Sequence, residues 1–210
     1  MYSLPYYKEK DPAVVTGFMH QHPFAMLAGS DGEGRPVVTQ IPLLIKEQNG
    51  CIVLRGHIMR QTDHHKAFMQ NPQALVVFTG PHAYVSASWY TNPQQGSTWN
   101  YMSVHARGNV RFLEDDALLE ILRETTALFE NNYESPSLME KLPVEYVQRL
   151  VKAIVAIEIE VQDIDTVFKL SQNRDKESYH NIIAQLQHGN EDARQIAVEM
   201  EQRAAGMKWE

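Results

Sequence analysis

Apolar strand-like runs separated by turns fill much of the first half of this chain, and apolar residues recur at helical spacing along much of the second. The apolar piece Phe24–Ala28 is followed by Ser30-Asp31-Gly32-Glu33-Gly34, whose glycines and short polar residues mark a turn. Val37–Ile45 is rich in β-branched residues and predicts one long strand. It stops before Asn49-Gly50, a strong hairpin signal, with Cys51–Gly56 as the returning strand. Ala74–Thr79 predicts a further apolar strand, closed by Gly80-Pro81. Beyond it Ala83, Val85 and Ala87 alternate with Tyr84, Ser86 and Ser88, the period of a strand with one buried face. After the polar loop Thr91–Ser97, the stretch Trp99–Leu113 alternates again, with Gly108 as a candidate bulge.

Helical signals frame these strands. Asp11-Pro12 joins a good N-cap to a proline at the first helical position and predicts a helix to about His20. A short helix over Gln61–Gln70 is ended by Asn71-Pro72, because the residue before proline avoids the helical region. Leu118, Ile121, Leu122, Thr125, Phe129 and Tyr133 fall on one face of a helix over Asp115–Tyr133. A second helix starts at Pro143, with Val147, Leu150, Val151 and Ile154 at helical spacing. It runs into Ala156–Val161, a half-exposed strand, and Thr166–Leu170 reads as one more. Two polar helices follow, about Lys176–Gln187 and Glu191–Ala205, the latter with a stripe of Ala193, Ile196, Ala197, Met200 and Ala204.

Six or seven strands joined mostly by short turns predict an antiparallel barrel or sandwich with helices around it. Closing the sheet removes the edges that apolar strands would otherwise expose. The expected organisation is one domain over residues 1–210, with a helical insertion at about 115–153 and C-terminal helices at about 176–205.

Composition narrows the functions. With 210 residues, 43% of them hydrophobic, the chain can bury a core without cross-links. Its one cysteine, Cys51, cannot form an internal disulfide, which suits a reducing compartment. The first residues lack a basic segment followed by an apolar run, and nowhere do about 18 apolar residues run together. A soluble cytoplasmic protein is expected. Nineteen Lys and Arg against 26 Asp and Glu give a net charge of −7, and no basic run appears. Direct DNA binding normally needs a basic face to neutralise phosphates, so the charge argues against it. The glycine-rich and nucleophile-elbow signatures of Rossmann, P-loop and hydrolase proteins are missing. The nine histidines include His20-Gln21-His22 and His64-His65, with His57 near the second pair. No carboxylate–histidine signature accompanies them, so surface or hydrogen-bonded roles are expected and no metal site.

Three segments carry candidate chemistry. In Arg55-Gly56-His57-Ile58-Met59-Arg60, at a strand-to-helix junction, Gly56 permits close backbone approach and the following helix start favours an anion. Arg60 adds a fork of donors suited to phosphate, although such junctions are common. The run Gly80–Tyr90 and then Thr98-Trp99-Asn100-Tyr101 place large aromatics near polar turns. These rings suit stacking on a flat heterocycle, or equally a barrel core or a dimer contact. In Lys169-Leu170-Ser171-Gln172-Asn173-Arg174, Lys169 and Ser171 share a strand face and can hold a phosphate or a flavin edge; a polar strand end is the plainer alternative.

Taken in order, Gly56-His57-Ile58-Met59-Arg60, Phe78–Ser86 with Trp89-Tyr90, Thr98-Trp99-Asn100-Tyr101 with Val104-His105 and Gly108, and Lys169–Arg174 resemble the PaiB-like family. Pro23-Phe24-Ala25 and Ile41-Pro42-Leu43-Leu44 fit as well. That family belongs to the FMN-binding split barrels, relatives of pyridoxamine-phosphate oxidase, and its members are described as FMN-binding negative transcriptional regulators. The resemblance implies a mainly β fold with flanking helices, a six-stranded antiparallel Greek-key split barrel. It further implies a homodimer with FMN at the interface. Carried over by position, Gly56, His57 and Arg60 lie near the FMN phosphate or ribityl chain, Lys169, Ser171 and Gln172 close the site, Thr39 meets the isoalloxazine edge, and Trp99 is counted among the cofactor-binding residues. Where relatives often have prolines, this chain has Ala87 and Ser97. An FMN-dependent oxidoreductase acting on a small molecule is the alternative, since a flavin supplies redox chemistry directly. The residues offer no convincing proton donor, so no catalytic residue is named. A haem-binding split barrel with histidine ligands is a third reading.

Overall fold

The structure, a computed structural model, describes residues 2, 4–48, 50–207 and 209. Helix α1 (Pro12–Gln21) begins where its cap predicts: Asp11 Oδ1 accepts the Ala13 N–H at 2.9 Å, and Pro12 has no N–H to leave unpaired. Strands β1 (Phe24–Ser30) and β2 (Pro36–Pro42) form a hairpin in register from Phe24↔Pro42 to Ser30↔Pro36. Its turn is held by Asp31, whose Oδ1 accepts the N–H groups of Glu33 and Arg35, both at 2.9 Å. A second hairpin joins β3 (Leu44–Gln48) to β4 (Cys51–Met59), closing at Gln48↔Cys51. Of its predicted Asn49-Gly50 turn, Asn49 lies outside the described residues, and Gly50 takes a φ of +80°, which glycine adopts without strain.

Among the described residues one sheet has seven strands in the order β2-β1-β5-β6-β7-β4-β3, with β5 (Gln73–Val85), β6 (Thr98–Leu113) and β7 (Ile154–Lys169) in the middle. The pairs β1·β2, β1·β5, β3·β4 and β4·β7 are antiparallel. The mainly β class with flanking helices stands, and the expected count of six becomes seven. The stretch read as one strand over Val37–Ile45 breaks at Leu43, whose N–H leaves the ladder and donates to the Pro23 carbonyl at 2.9 Å. Two other pairs of predicted strands merge, into β5 and β7. Pro81 sits inside β5 although it has no N–H for a ladder; β1 pairs only with Ala74–Val77, so the later part of β5 lacks that neighbour.

The chain forms two compact units, and β5, β6 and β7 contribute residues to both. One, the hairpin unit, comprises Met19–Phe78 and His105–Ile164. Within it β2 and β3 stand at opposite ends of the strand order, yet Leu43 alone joins them. Laid flat, six inter-strand spacings would hold those ends roughly 29 Å apart, and one residue spans only about 3.5 Å. The sheet is therefore curled, as a split barrel requires. Gly108 on β6 lets β7 come close: a Cβ there would lie 2.3 Å from the Glu160 carbonyl oxygen. Helix α3 (Asp115–Glu130) buries Leu118, Ile121 and Leu122 against Leu44, Met139, Ile154 and Ala156. The predicted stripe stops there, since Phe129 and Tyr133 are exposed and Asn131 ends the helix at a φ of +45°. Helix α4 (Val144–Ala153) lends Val147 and Val151 to the same cluster, partly buried.

The terminal unit comprises Met1–Phe18, Thr79–Val104 and Asp165–Glu210. Helices α5 (Lys176–Leu186) and α6 (Glu191–Ala204) are capped by Asp175 and Asn190, which accept the Ser178 and Ala193 N–H groups at 2.9 Å. The α6 stripe is buried at Ala193, Ile196, Ala197 and Met200, as its spacing predicts. No helix among the described residues is long and apolar enough to cross a membrane.

Candidate functional site

In the terminal unit, β7 ends at Lys169 and the chain turns back sharply. Ser171 adopts a φ of +61°, a costly conformation for a residue with a side chain. The turn is held by its own groups: the Leu170 N–H donates to Gln172 Oε1, Gln172 Nε2 donates to the Phe168 carbonyl, both at 2.6 Å, and the Arg174 N–H donates to the Ser171 carbonyl at 3.0 Å. This brings Lys169, Ser171 and Arg174 around a cleft of about 210 Å³, opposite Thr98 and Asn100 of β6. Thr98 and Asn100 share a strand face because they are two residues apart.

The polar groups of the cleft interlock. Ser171 Oγ donates to Asn100 Oδ1 at 3.0 Å, and Asn100 Nδ2 reaches the Met200 sulfur at 3.4 Å. Lys169, 8% exposed, donates through Nζ to Thr98 Oγ1 and lies 5.3 Å from the centre of the Tyr2 ring. Burial, helped by the charge of Arg174, pulls the Lys169 ammonium below its ordinary pKa. Tyr7 lines the cleft and donates to Asn173 Oδ1 at 3.3 Å; burial pushes its phenol up to about 12, which keeps it a donor.

Among the residues proposed from the sequence, Lys169 and Ser171 are thus brought together, while the amide of Gln172 is spent on holding the turn. Trp99 points to the other face of β6 from Thr98. It is 52% exposed and packs edge-on to Tyr84, ring centres 5.8 Å apart, beside His82 at 5.9 Å.

The other four proposed residues belong to the hairpin unit. Thr39 on β2 pairs with Leu27 and is half-buried. Gly56 on β4 is buried, and a Cβ there would meet the Pro42 carbonyl oxygen at 3.0 Å, so its close approach is to this chain's own backbone. His57 is half-buried, makes no side-chain hydrogen bond among the described residues, and is held below its ordinary pKa by burial, which favours the neutral imidazole. Arg60 is partly committed: Nε donates to the Ile154 carbonyl at 2.8 Å and Nη2 lies 3.5 Å from Asp115 Oδ1. The start of α2 (Asp63–Gln70) is served by its own chain, Thr62 Oγ1 accepting the His65 N–H and Asp63 Oδ1 the His64 N–H. Two larger cavities of this unit, each near 560–570 Å³, are lined by other residues, one by Asn71, Arg107, Asn109 and Gln162, the other by Leu119, Met139 and Val147. Among the described residues no group of three or more His, Cys, Asp or Glu is arranged to hold a metal ion.

Arg174, Thr98 and Asn100 also line the cleft, a placement not expected from the sequence. The signal was present: a polar pair at i and i+2 flanking Trp99 marks a strand face of its own.

The curled antiparallel sheet with flanking helices is the architecture of a split barrel. A family model described as "Putative FMN-binding domain" matches residues 1–163, and the chain belongs to that family. It is 34% identical over 204 residues to the protease synthase and sporulation protein PAI 2 of Bacillus subtilis, covering 97% of this chain and 98% of the relative. Among solved structures, the flavocytochrome Anf3 from Azotobacter vinelandii is similar with a TM-score of 0.60 at 16% identity, covering 86% of this chain and 78% of that one. The FAD and heme binding protein from Mycobacterium smegmatis gives 0.57 at 17% identity, covering 78% and 73%. At these identities the two structures speak for the fold.

Proposed function

We propose that this protein is an FMN-binding split barrel of the PaiB type that works as a cytoplasmic homodimer, with FMN bound at the interface between two copies. The carrying observation is membership of the FMN-binding family across most of the chain. The residues fit the group chemically. Lys169, Arg174, Thr98 and Ser97 are the cations and hydroxyls that suit a phosphate. Exposed Trp99 and Tyr84 are rings that suit a flat heterocycle or a partner's surface. His57, whose burial favours the neutral imidazole, can donate or accept toward a ribityl hydroxyl. We assign Thr39, Gly56, His57, Arg60, Trp99, Lys169, Ser171 and Gln172 to the site on these grounds and on the family resemblance. We also read the chain as one domain, because three strands run through both compact units.

When bound, a flavin supplies one- and two-electron redox chemistry. The net charge of −7 favours a regulatory role through metabolites or protein partners over direct operator contact.

The test is a titration of the purified chain with FMN, followed by flavin fluorescence and by light scattering for the mass of the particle. Quenching that saturates at one FMN per chain on a particle of twice the chain mass is expected. A colourless protein whose melting temperature and FMN fluorescence do not respond to the cofactor would sink this reading. Substituting Arg60→Ala and Lys169→Ala should each weaken FMN binding.

A further inference from the structure

The buried and half-buried cations of the terminal unit are matched by carboxylates, with two exceptions. Lys8 pairs with Asp165 at 2.5 Å, and Arg203 with Glu9 at 2.8 Å and Glu199 at 3.1 Å. Lys169 and Arg174 line the same cleft, and neither has a carboxylate partner among the described residues. Lys169 has only the Thr98 hydroxyl and the face of Tyr2. Arg174 has the Gln95 amide and lies 4.1 Å over the Tyr90 ring. A buried charge without a counter-charge is expensive, so a fold that keeps one, beside a second of the same sign, is arranged for an anion.

The remaining donors agree. Thr98 accepts from Lys169 and Ser97 accepts from the Ala87 N–H, which leaves both hydroxyl protons uncommitted among the described residues. Arg174 uses one terminal nitrogen on Gln95 and keeps further N–H groups. The left-handed Ser171 is where the backbone accepts strain to turn Arg174 toward Lys169. Size sets the class of ligand. A cleft of about 210 Å³ is below the roughly 300–1,000 Å³ of whole small-molecule sites, yet ample for one tetrahedral oxyanion.

We propose that the Lys169 cleft is an oxyanion site that takes the phosphate of a phosphate monoester, bound by Lys169 and Arg174 with Thr98 and Ser97 as hydroxyl donors. The site rests on its own charge and geometry; only the identity of the ester rests on the flavin reading. The ester is FMN itself or a separate phosphorylated metabolite.

Inorganic phosphate is the first probe. At constant ionic strength set with chloride, it should raise the melting temperature of the full chain in a saturable way. Lys169→Met removes the unmatched charge while keeping the stem, so it should melt above the native protein without phosphate and lose the response. A side chain with a merely structural role would lower the melting temperature instead. Arg174→Gln should weaken phosphate by roughly tenfold or more, the size of a lost charge-assisted hydrogen bond, and it carries the test if the Lys169 variant does not fold. No saturable response in the native chain, or an equal response in both variants, overturns the site.

FMN and riboflavin then separate the sources. If the ester is FMN, saturating FMN abolishes the phosphate response, and Lys169→Met weakens FMN while leaving riboflavin unchanged. If the FMN-loaded protein still responds to phosphate, the cleft serves a separate ester. A protein that takes phosphate but not FMN overturns the flavin reading alone; one that takes FMN with no phosphate response overturns the cleft alone.

Discussion

The backbone N–H of Ala87 donates to the hydroxyl oxygen of Ser97 at 3.0 Å, across the loop that closes the aromatic segment. The family resemblance implies proline at both positions, and this chain has alanine and serine there. A proline at 87 would have no N–H to offer, and a proline at 97 no hydroxyl to receive it, so the two departures complete one another. Ala87 also opens a short 3₁₀ helix, Ala87–Trp89, capped by Ser86, a place where proline is tolerated.

Ser97→Ala alone should therefore cost about 1 kcal/mol, the price of one unpaired, part-buried N–H. Ala87→Pro made on top of it should recover that loss, because the orphaned donor is gone. Urea unfolding of the single and double variants gives the coupling; simple additivity would show that the two residues act independently.

Glycine substitutions separate close packing from helix preference. Gly108→Ala drives a methyl to 2.3 Å from the Glu160 carbonyl oxygen, and Gly29→Ala to 2.4 Å from the Phe68 ring. Gly108→Ala should be the more damaging, since backbone of a central strand cannot step aside as a ring edge can. A loss of about 3 kcal/mol or failure to fold is expected. Gly17→Ala, inside α1 with nothing within 4 Å of its new carbon, should instead stabilise by roughly 0.5–1 kcal/mol. Thermal melts of the three proteins rank them.

Acid should unfold the protein in two separable windows. Burial disfavours the charged form of His57, so its folded pKa lies below the ordinary 6.5. Its share of stability is intact above that value and is lost as pH falls through it, when the unfolded chain takes up the proton first. His57→Gln should flatten this upper part of the stability profile.

Glu158 governs the lower window. Burial alone would raise its carboxyl, but hydrogen bonds from Arg111 and Arg55, the latter at 2.7 Å, outweigh that and hold it below the ordinary 4.5. A lowered carboxylate contributes stability above its unfolded pKa and loses it as pH drops toward the folded one. Glu158→Gln should cost about 1–3 kcal/mol at neutral pH, discounted because Arg111 is largely exposed, and should remove the lower acid step. Chemical denaturation from pH 7 down to pH 3 reads both windows, and an unaltered profile in either variant would refute its assignment.

How much of this was legible in the chain follows the range of each interaction. Local chemistry was readable: Asp11 before Pro12, the turn of Asp31 and the alternation of β6 are settled within a few residues. The resemblance carried the fold class and the cofactor, because short motifs in a set order are features of the chain itself. Strand continuity was not readable. Whether Val37–Ile45 stays whole depends on Leu43 finding the Pro23 carbonyl, and whether Pro81 interrupts a strand depends on where β1 stops.

The candidate site divides in the same way. Lys169 and Ser171 were visible as a cation and a hydroxyl on one strand end, and Thr98 and Asn100 as a polar pair on another. Only the tertiary structure decided that these ends meet, that Trp99 turns to the opposite face, and that the forks of Arg55 and Arg111 find Glu158 while Arg174 finds no carboxylate among the described residues. Sequence specifies which charges exist, but whether a charge is matched depends on what packs around it, and that comes from residues 70 or more positions away.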